Sequence, residues 1–302
     1  MKQIFIITCI IFSAYTSKAC EICGCGVGNY YMGLSPQFSR SFMGVRYQFS
    51  SFHTSIKNDP SQHSNELFQS LEVWGGINIG KKWQLIAIVP FSKIRQVSDD
   101  GTFKSNGIGD VAVMGNYTLF THSNATAHKQ LITQQLAVGA GIKLATGKFN
   151  VNLNDPALTA LANTQSGSGS TDFMLNAIYN ISVNRFGVST SARYKINTTN
   201  YNQYFFGNQF SANSFTYYSF TKGKTNITPN VGLLYQHSER NYAAQQKIAE
   251  TGGYLLSTAA GVEVSINKIT IGANAQLPLS QNFASAQTRN TIKGMMHLSF
   301  SF

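Results

Sequence analysis

The last twelve residues constrain the fold more than any other stretch: Thr291-Ile-Lys-Gly-Met-Met-His-Leu-Ser-Phe-Ser-Phe302. Side chains of an extended strand alternate between two faces. One face receives Ile292, Gly294, Met296, Leu298, Phe300 and Phe302, and the other Lys293, Met295, His297, Ser299 and Ser301. Apolar residues on one face and polar ones on the other, closing on an aromatic residue, form the pattern of a membrane β-barrel's final strand. In water the terminal Phe302 would fray with nothing to bury against. In a barrel it sits in an interfacial aromatic girdle, as the mark an assembly machinery reads.

The N-terminus agrees. Lys2, an apolar run from Ile4 to Tyr15 and Ser17-Lys18-Ala19 read as a secretory leader over residues 1–19. The run is too short to cross a bilayer as a helix, and no later stretch is long and apolar enough to do so. Charged residues make up only 12% of the chain, about half the share usual for a soluble domain, while Phe and Tyr number 21 and 14. That aromatic content excludes a disordered chain.

Alternating segments with the length of a tilted membrane strand recur throughout. They fall near 38–53, 65–80, 83–97, 107–122, 129–146, 168–184, 186–198, 208–221, 225–239, 251–266, 268–280 and 290–302. The third carries Pro90, and the eighth has aromatics on both faces. Gly80-Lys-Lys82, Val183-Asn-Arg185, Lys222-Gly-Lys224 and Asn267-Lys268 read as tight turns. Longer links near 54–64, 98–106, 147–167, 199–207, 240–250 and 281–289 alternate with them. The link from Thr121 to His128 breaks this alternation. Short turns on one rim and long loops on the other predict an all-β, up-and-down antiparallel transmembrane barrel of about 12 strands over residues 38–302. Its short turns and both termini face the periplasm.

Net charge is +11, falling to +9 when Lys2 and Lys18 leave with the leader. The predicted lumen faces carry Arg46, Lys143, Arg193 and Lys293 against Glu72, Asp110, Asp172 and Glu263. Such groups in a narrow interior are expected to pair and line a constriction, rather than select one sign of ion. The short-turn rim holds Lys81, Lys82, Lys129, Arg185, Lys222, Lys224 and Lys268 with no acid. These are either turn residues at the level of the outer-membrane lipid headgroups or a docking ring for an acidic periplasmic partner. Isolated basic turns do not make a nucleic-acid groove.

Cys20, Cys23 and Cys25 lie in a Gly-rich segment, 20–37, expected in the periplasm. Four readings stand side by side: a lipidated Cys20, a Cys20–Cys23 disulfide, a processing motif, and a soft-metal site. Three thiolates suit Cu(I), or Zn with a fourth ligand.

Four phrases, in this order, resemble the meta-pathway phenol-degradation type of outer-membrane transporters. They are Val89-Pro-Phe91, Gly107-Ile-Gly-Asp110, Lys143-Leu-Ala-Thr-Gly-Lys148 and Gly167-Ser-Gly-Ser-Thr-Asp-Phe173. The likeness spans about 65–302 and implies an outer-membrane channel or transporter. The cysteine run with Asn29-Tyr-Tyr-Met-Gly33 departs from the general pattern and is similar to a Bacteroidetes-type subgroup.

No phosphate loop, nucleophile elbow or carboxylate pair with the spacing for acid–base catalysis is present. His297 and Ser299 share an inward face where an acyl chain or peptide could hardly enter, so no enzyme is expected. The expectation is passive passage of small solutes, with hydrophobic or aromatic solutes within its scope, and loop 147–167 as a lid. Gly139, Gly141, Gly232, Gly261 and Gly272 are expected to leave space in the lumen. The alternative is a non-conducting anchor for the thiol-rich segment.

Overall fold

The computed structural model describes residues 40–56, 59–99, 101–125, 130–150 and 162–302. Residues 1–19, read above as a leader, and Cys20, Cys23, Cys25 and Lys129 lie outside the described residues. The strands are β1 (Phe42–Ile56), β2 (Asp59–Ile79), β3 (Trp83–Ser98), β4 (Gly101–Ile108), β5 (Ala112–Ala125), β6 (Leu131–Lys143), β7 (Asp172–Val183) and β8 (Phe186–Ile196). They continue with β9 (Tyr204–Phe205), β10 (Gln209–Tyr218), β11 (Phe220–Lys222), β12 (Thr225–Ser238), β13 (Tyr242–Ala243) and β14 (Gln246–Lys247). The last are β15 (Gly253–Ile266), β16 (Ile269–Phe283) and β17 (Thr288–Ser301).

Fourteen of these form one antiparallel sheet, in which β4 and β5 share one stave against β3, and β10 and β11 share another against β12. Twelve staves result. The sheet closes where β1 meets β17, with Met43 opposite Phe300 and Arg46 opposite His297. Closure leaves no sheet edge along the seam, which is how a β-structure satisfies its backbone in lipid.

Period-two patterning explains why these segments became staves. On β17, Met296, Leu298 and Phe300 are exposed, while Lys293, Met295, His297 and Ser299 are buried. β3 alternates in the same way, with Leu85, Val89 and Phe91 outside and Ile86, Ile88 and Ile94 inside. Near the short turns, Trp83, Phe186, Tyr218, Phe220, Phe300 and Phe302 face outward as an aromatic girdle. Lys82 lies 5.6 Å from the Tyr117 ring centroid, and Lys268 5.9 Å from that of Phe300. Their stems run along apolar surface toward the headgroup level.

Besides Pro60 at the start of β2, three prolines lie inside the staves, and each sits at a break or register shift beside a neighbouring strand. Pro90 accepts a hydrogen bond from Gly109 N at 2.9 Å, so its missing N–H faces the gap between β4 and β5. Pro229 lies opposite the gap between β10 and β11, and Pro278 lies where the β16–β17 register shifts. A residue that cannot donate is thereby placed where no ladder bond is wanted.

All four tight turns hold a residue at positive φ: Gly80 (64°), Asn184 (55°), Gly223 (60°) and Asn267 (56°). Glycine and asparagine tolerate that region best. Several links expected to be long are instead ends of long hairpins. β3 turns into β4 with Ser98 opposite Gly101, β1 and β2 continue to Ile56 opposite Asp59, and β16 reaches β17 through a short turn at Ala284–Ala286. These extensions are rich in polar residues in sequence, so the period-two signal that marks the membrane portion fades there. The link after Thr121 is also strand: β5 runs to Ala125, paired with Leu131. The other long-loop links pack together through β9, β13 and β14 and an apolar cluster of Phe149, Ala162, Tyr204 and Phe206.

Candidate functional site: the barrel lumen

Arg46 and Glu72 face each other across β1 and β2, both about 1% exposed. Arg46 Nε donates to Glu72 Oε2 at 2.7 Å, and its Nη2 bonds the same oxygen. Gln48 Nε2 adds donations of 3.1 Å to both carboxylate oxygens. The guanidinium carbon lies 4.9 Å from the Trp74 ring centroid, and Trp74 meets Phe42 edge-on at 4.7 Å. An ion pair removed from water holds only when further polar contacts support it; the Gln48 amide adds hydrogen bonds to the carboxylate, and the Trp74 ring face a cation–π contact to the guanidinium. Phe42 and Trp74 join Ile86, Ile88, Met114 and Ile178 in a packed cluster near the short-turn end. His297 stands edge-on to Trp74 at 6.1 Å, with Nε2 3.7 Å from Glu263 Oε1.

The Gly-rich phrases converge on Lys143. Its Nζ lies 2.6 Å from Asp110 Oδ2 and 2.9 Å from Asp172 Oδ2, and it donates to Ser168 Oγ and, at 3.1 Å, to Ser170 O. Asp110 also accepts from Gly147 N at 3.0 Å and from Ser168 N at 2.9 Å. Asp172 accepts from Thr198 N at 3.0 Å and from Ser170 Oγ at 2.8 Å. A Cβ on Gly147 would stand 2.6 Å from Gly167 Cα, so only glycines let these two loop segments cross. The two aspartates therefore cap loop amides and share one ammonium, and the break at residues 109–111 puts Asp110 within reach. The cluster ties both ends of the 147–167 link to the lumen wall.

Arg193 projects inward from β8, between Asn176 and Ser211 on the neighbouring strands. Lys293, 8% exposed, donates to Gln236 Oε1 at 2.8 Å. Two lumen charges escape the sequence inventory. Glu66, about 1% exposed, accepts hydroxyl hydrogen bonds from Ser64 and Thr54. Lys195 lines the central cavity. Each has the parity of a residue already assigned inward, Glu72 and Arg193, and strict counting by twos finds both.

The lumen glycines do not leave open space. A Cβ on Gly272 would meet the His297 ring at 2.2 Å, one on Gly232 the Phe215 ring at 2.6 Å, and one on Gly139 the Asn116 and Asn176 amides. The lumen packs large groups against small ones across neighbouring strands. Part of the wall is nonetheless polar and unsatisfied by protein. Asn116, Asn176, Asn180, Asn230 and Asn274 each carry a buried amide atom with no protein partner among the described residues. Such an atom costs about 1–3 kcal/mol unless water completes it.

Among solved structures, the chain is similar to the COG4313 outer membrane channel from Pseudomonas putida F1. The TM-score is 0.65 at 13% identity, over 91% of this chain and 100% of that one. It is also similar in fold to the transport unit of the autotransporter AIDA-I from Escherichia coli, with a TM-score of 0.50 at 10% identity over 90% and 94%. No curated protein sequence matches. The sequence profile of the family described as "Putative MetA-pathway of phenol degradation" matches residues 57–282, three quarters of the chain. An outer-membrane barrel with a channel-like fold, three of the four phrases meeting at Lys143, is thus a member of that family.

Proposed function

We propose that the barrel is a passive channel for small solutes. The carrying observation is the asparagine wall, whose unsatisfied amides call for water along the lumen beside the packed cluster. The Lys143 cluster supports a gating role for the 147–167 link, because it anchors the loop ends to the lumen wall. In this reading Arg46, Glu72, Arg193, Glu263 and Lys293 shape the constriction, with Asp110, Lys143 and Asp172 at its long-loop side. The basic rim serves headgroup contact, and an acidic periplasmic partner is its second use. In the same reading the chain belongs to the cysteine-bearing subgroup, for which the spacing of Cys20, Cys23 and Cys25 speaks, and that spacing suits Cu(I) or Zn.

Proteoliposome swelling tests the reading. Swelling in small neutral solutes, with a cut-off near the size of a single ring, is the expected result. Vesicles with a folded barrel that swell no faster than protein-free ones would overturn it and favour a non-conducting anchor for the thiol-rich segment.

A further inference from the structure

Among the described residues, Glu66 is the one buried acid that no base answers. Glu72, Asp110, Asp172 and Glu263 each stand beside a basic group, whereas Glu66, 1% exposed, faces neutral partners on every neighbouring strand. Thr54 Oγ1 on β1 donates to its Oε2 at 3.4 Å, and Gln96 Nε2 on β3 to its Oε1 at 3.5 Å. Ser64, on β2 itself, makes the one close hydrogen bond, and Thr288 on β17 meets Thr54 at 3.1 Å. His53, Arg95 and Arg289 alternate to the outer faces of their strands, and of these His53 acts on the acid from a distance. Lys293, lower in the lumen, donates to Gln236.

Bonds of 3.4 and 3.5 Å are weak. An ionised Glu66 would keep a single firm donor, too little to offset the removal of its charge from water. From Ile79 at the short-turn rim to Glu66, a strand rising about 3.4 Å per residue at a tilt of about 40° climbs roughly 34 Å, past an apolar band about 25 Å tall. In that position outside the bilayer, burial pushes the carboxyl up from its ordinary value. The Gln96 amide fits a neutral acid independently. Its Oε1 is buried without a partner; with the amide turned over, that oxygen would accept the proton of a carboxylic acid, which a carboxylate does not carry.

Glu66 also sits on an apolar bridge. Phe52, opposite it in register, meets the rings of Phe68 at 5.6 Å and Phe283 at 6.3 Å, and Ile94 and Leu255 complete the cluster. These side chains come from β3, β2, β1, β16 and β15, so the bridge ties together half the circumference toward the long loops. We propose that Glu66 is held as a neutral carboxylic acid and latches this bridge, so that loss of its proton loosens the outer mouth. The charged form calls for water where the neighbouring rings exclude it, and parting the rings supplies it. The stability this group contributes is present below the ordinary carboxylate value and is lost as pH rises through the raised one. Protonation stands apart from the channel reading, and its consequence for solute passage rests on that reading.

Carbon-13 NMR of the full chain in detergent, with glutamate carboxyls labelled, tests it between about pH 5 and pH 9. One carboxyl is expected to titrate above the range of the others, and its resonance to vanish in E66Q. S64A keeps the acid but removes the firmest bond to its charged form, and is expected to move that titration higher still. Amide exchange at the outer ends of β1 and β2 is read in parallel. Relative to E66Q, which cannot ionise, the native chain is expected to lose at least about tenfold in protection across this range. Should E66Q fail to fold, S64A replaces it, with the loss of protection expected at a correspondingly higher pH. A Glu66 that titrates with the other carboxyls, or a late titration with no accompanying loss of protection, would overturn the proposal. In planar bilayers the native conductance is expected to rise with pH while that of E66Q stays level. Conductance that is level in both removes the latch and leaves the channel. Loss of protection without conductance at any pH leaves the latch and removes the channel.

Discussion

The two ends of the lumen solve the same problem in different ways. Near the short turns, Arg46 and Glu72 neutralise each other against Trp74, inside an apolar cluster that makes the interior resemble a protein core. Toward the long loops, Lys143 binds two carboxylates at once, and Lys195 and Lys293 line a cavity beside that cluster. Both ends are built on the same inward period-two rows, interrupted by a few breaks and register shifts, so the contrast comes mainly from which residue fills each step. Pairing makes the short-turn end rigid. The other end depends on a single ammonium that two loop-linked carboxylates share.

The largest effect that would break this contrast is expected from Lys143→Met. Removing the shared ammonium leaves Asp110 and Asp172 buried together, at a cost of roughly 3–5 kcal/mol. The loop ends should detach before the barrel melts, read as faster proteolysis within residues 144–170 at unchanged far-UV circular dichroism. Unaltered cleavage would show that the cluster does not hold the loop. Gly272→Ala comes next: a methyl group there would meet the His297 ring and displace it from Trp74, costing about 1–3 kcal/mol in urea unfolding. A neutral result would mean the ring has room to move. Ile88→Val, in the packed cluster, should cost about 0.5–1.5 kcal/mol in the same unfolding measurement, and a much larger loss would mean that the cluster cannot relax around the missing methyl. The smallest effect belongs to Pro90→Val. Its restored N–H would face the gap between β4 and β5, so a change within about 0.5 kcal/mol is expected, and a large stabilisation would contradict a functional break there.

The membrane portion of the barrel was legible because lipid outside and lumen inside impose strict alternation. Turn residues with a tolerance for positive φ marked the short rim equally well. Where strands run beyond the bilayer, both faces meet water and the periodicity vanishes, so the β3–β4 hairpin read as a loop. The site was legible as a set of inward charges, but parity was applied unevenly, and Glu66 and Lys195 were passed over. The Lys143 cluster was beyond any local pattern. Its three phrases stand far apart in sequence, and the contact that joins them depends on a strand break and on a Gly147–Gly167 crossing that only the folded barrel creates.

The most direct test of the central claim is single-channel recording in planar bilayers, using the protein with its leader removed and a form beginning at Gln37. A passive channel predicts discrete conductance steps, in both forms if residues 20–36 are accessory and only in the shorter form if they block the pore. Silence from both, with the barrel shown to be folded, would contradict the channel.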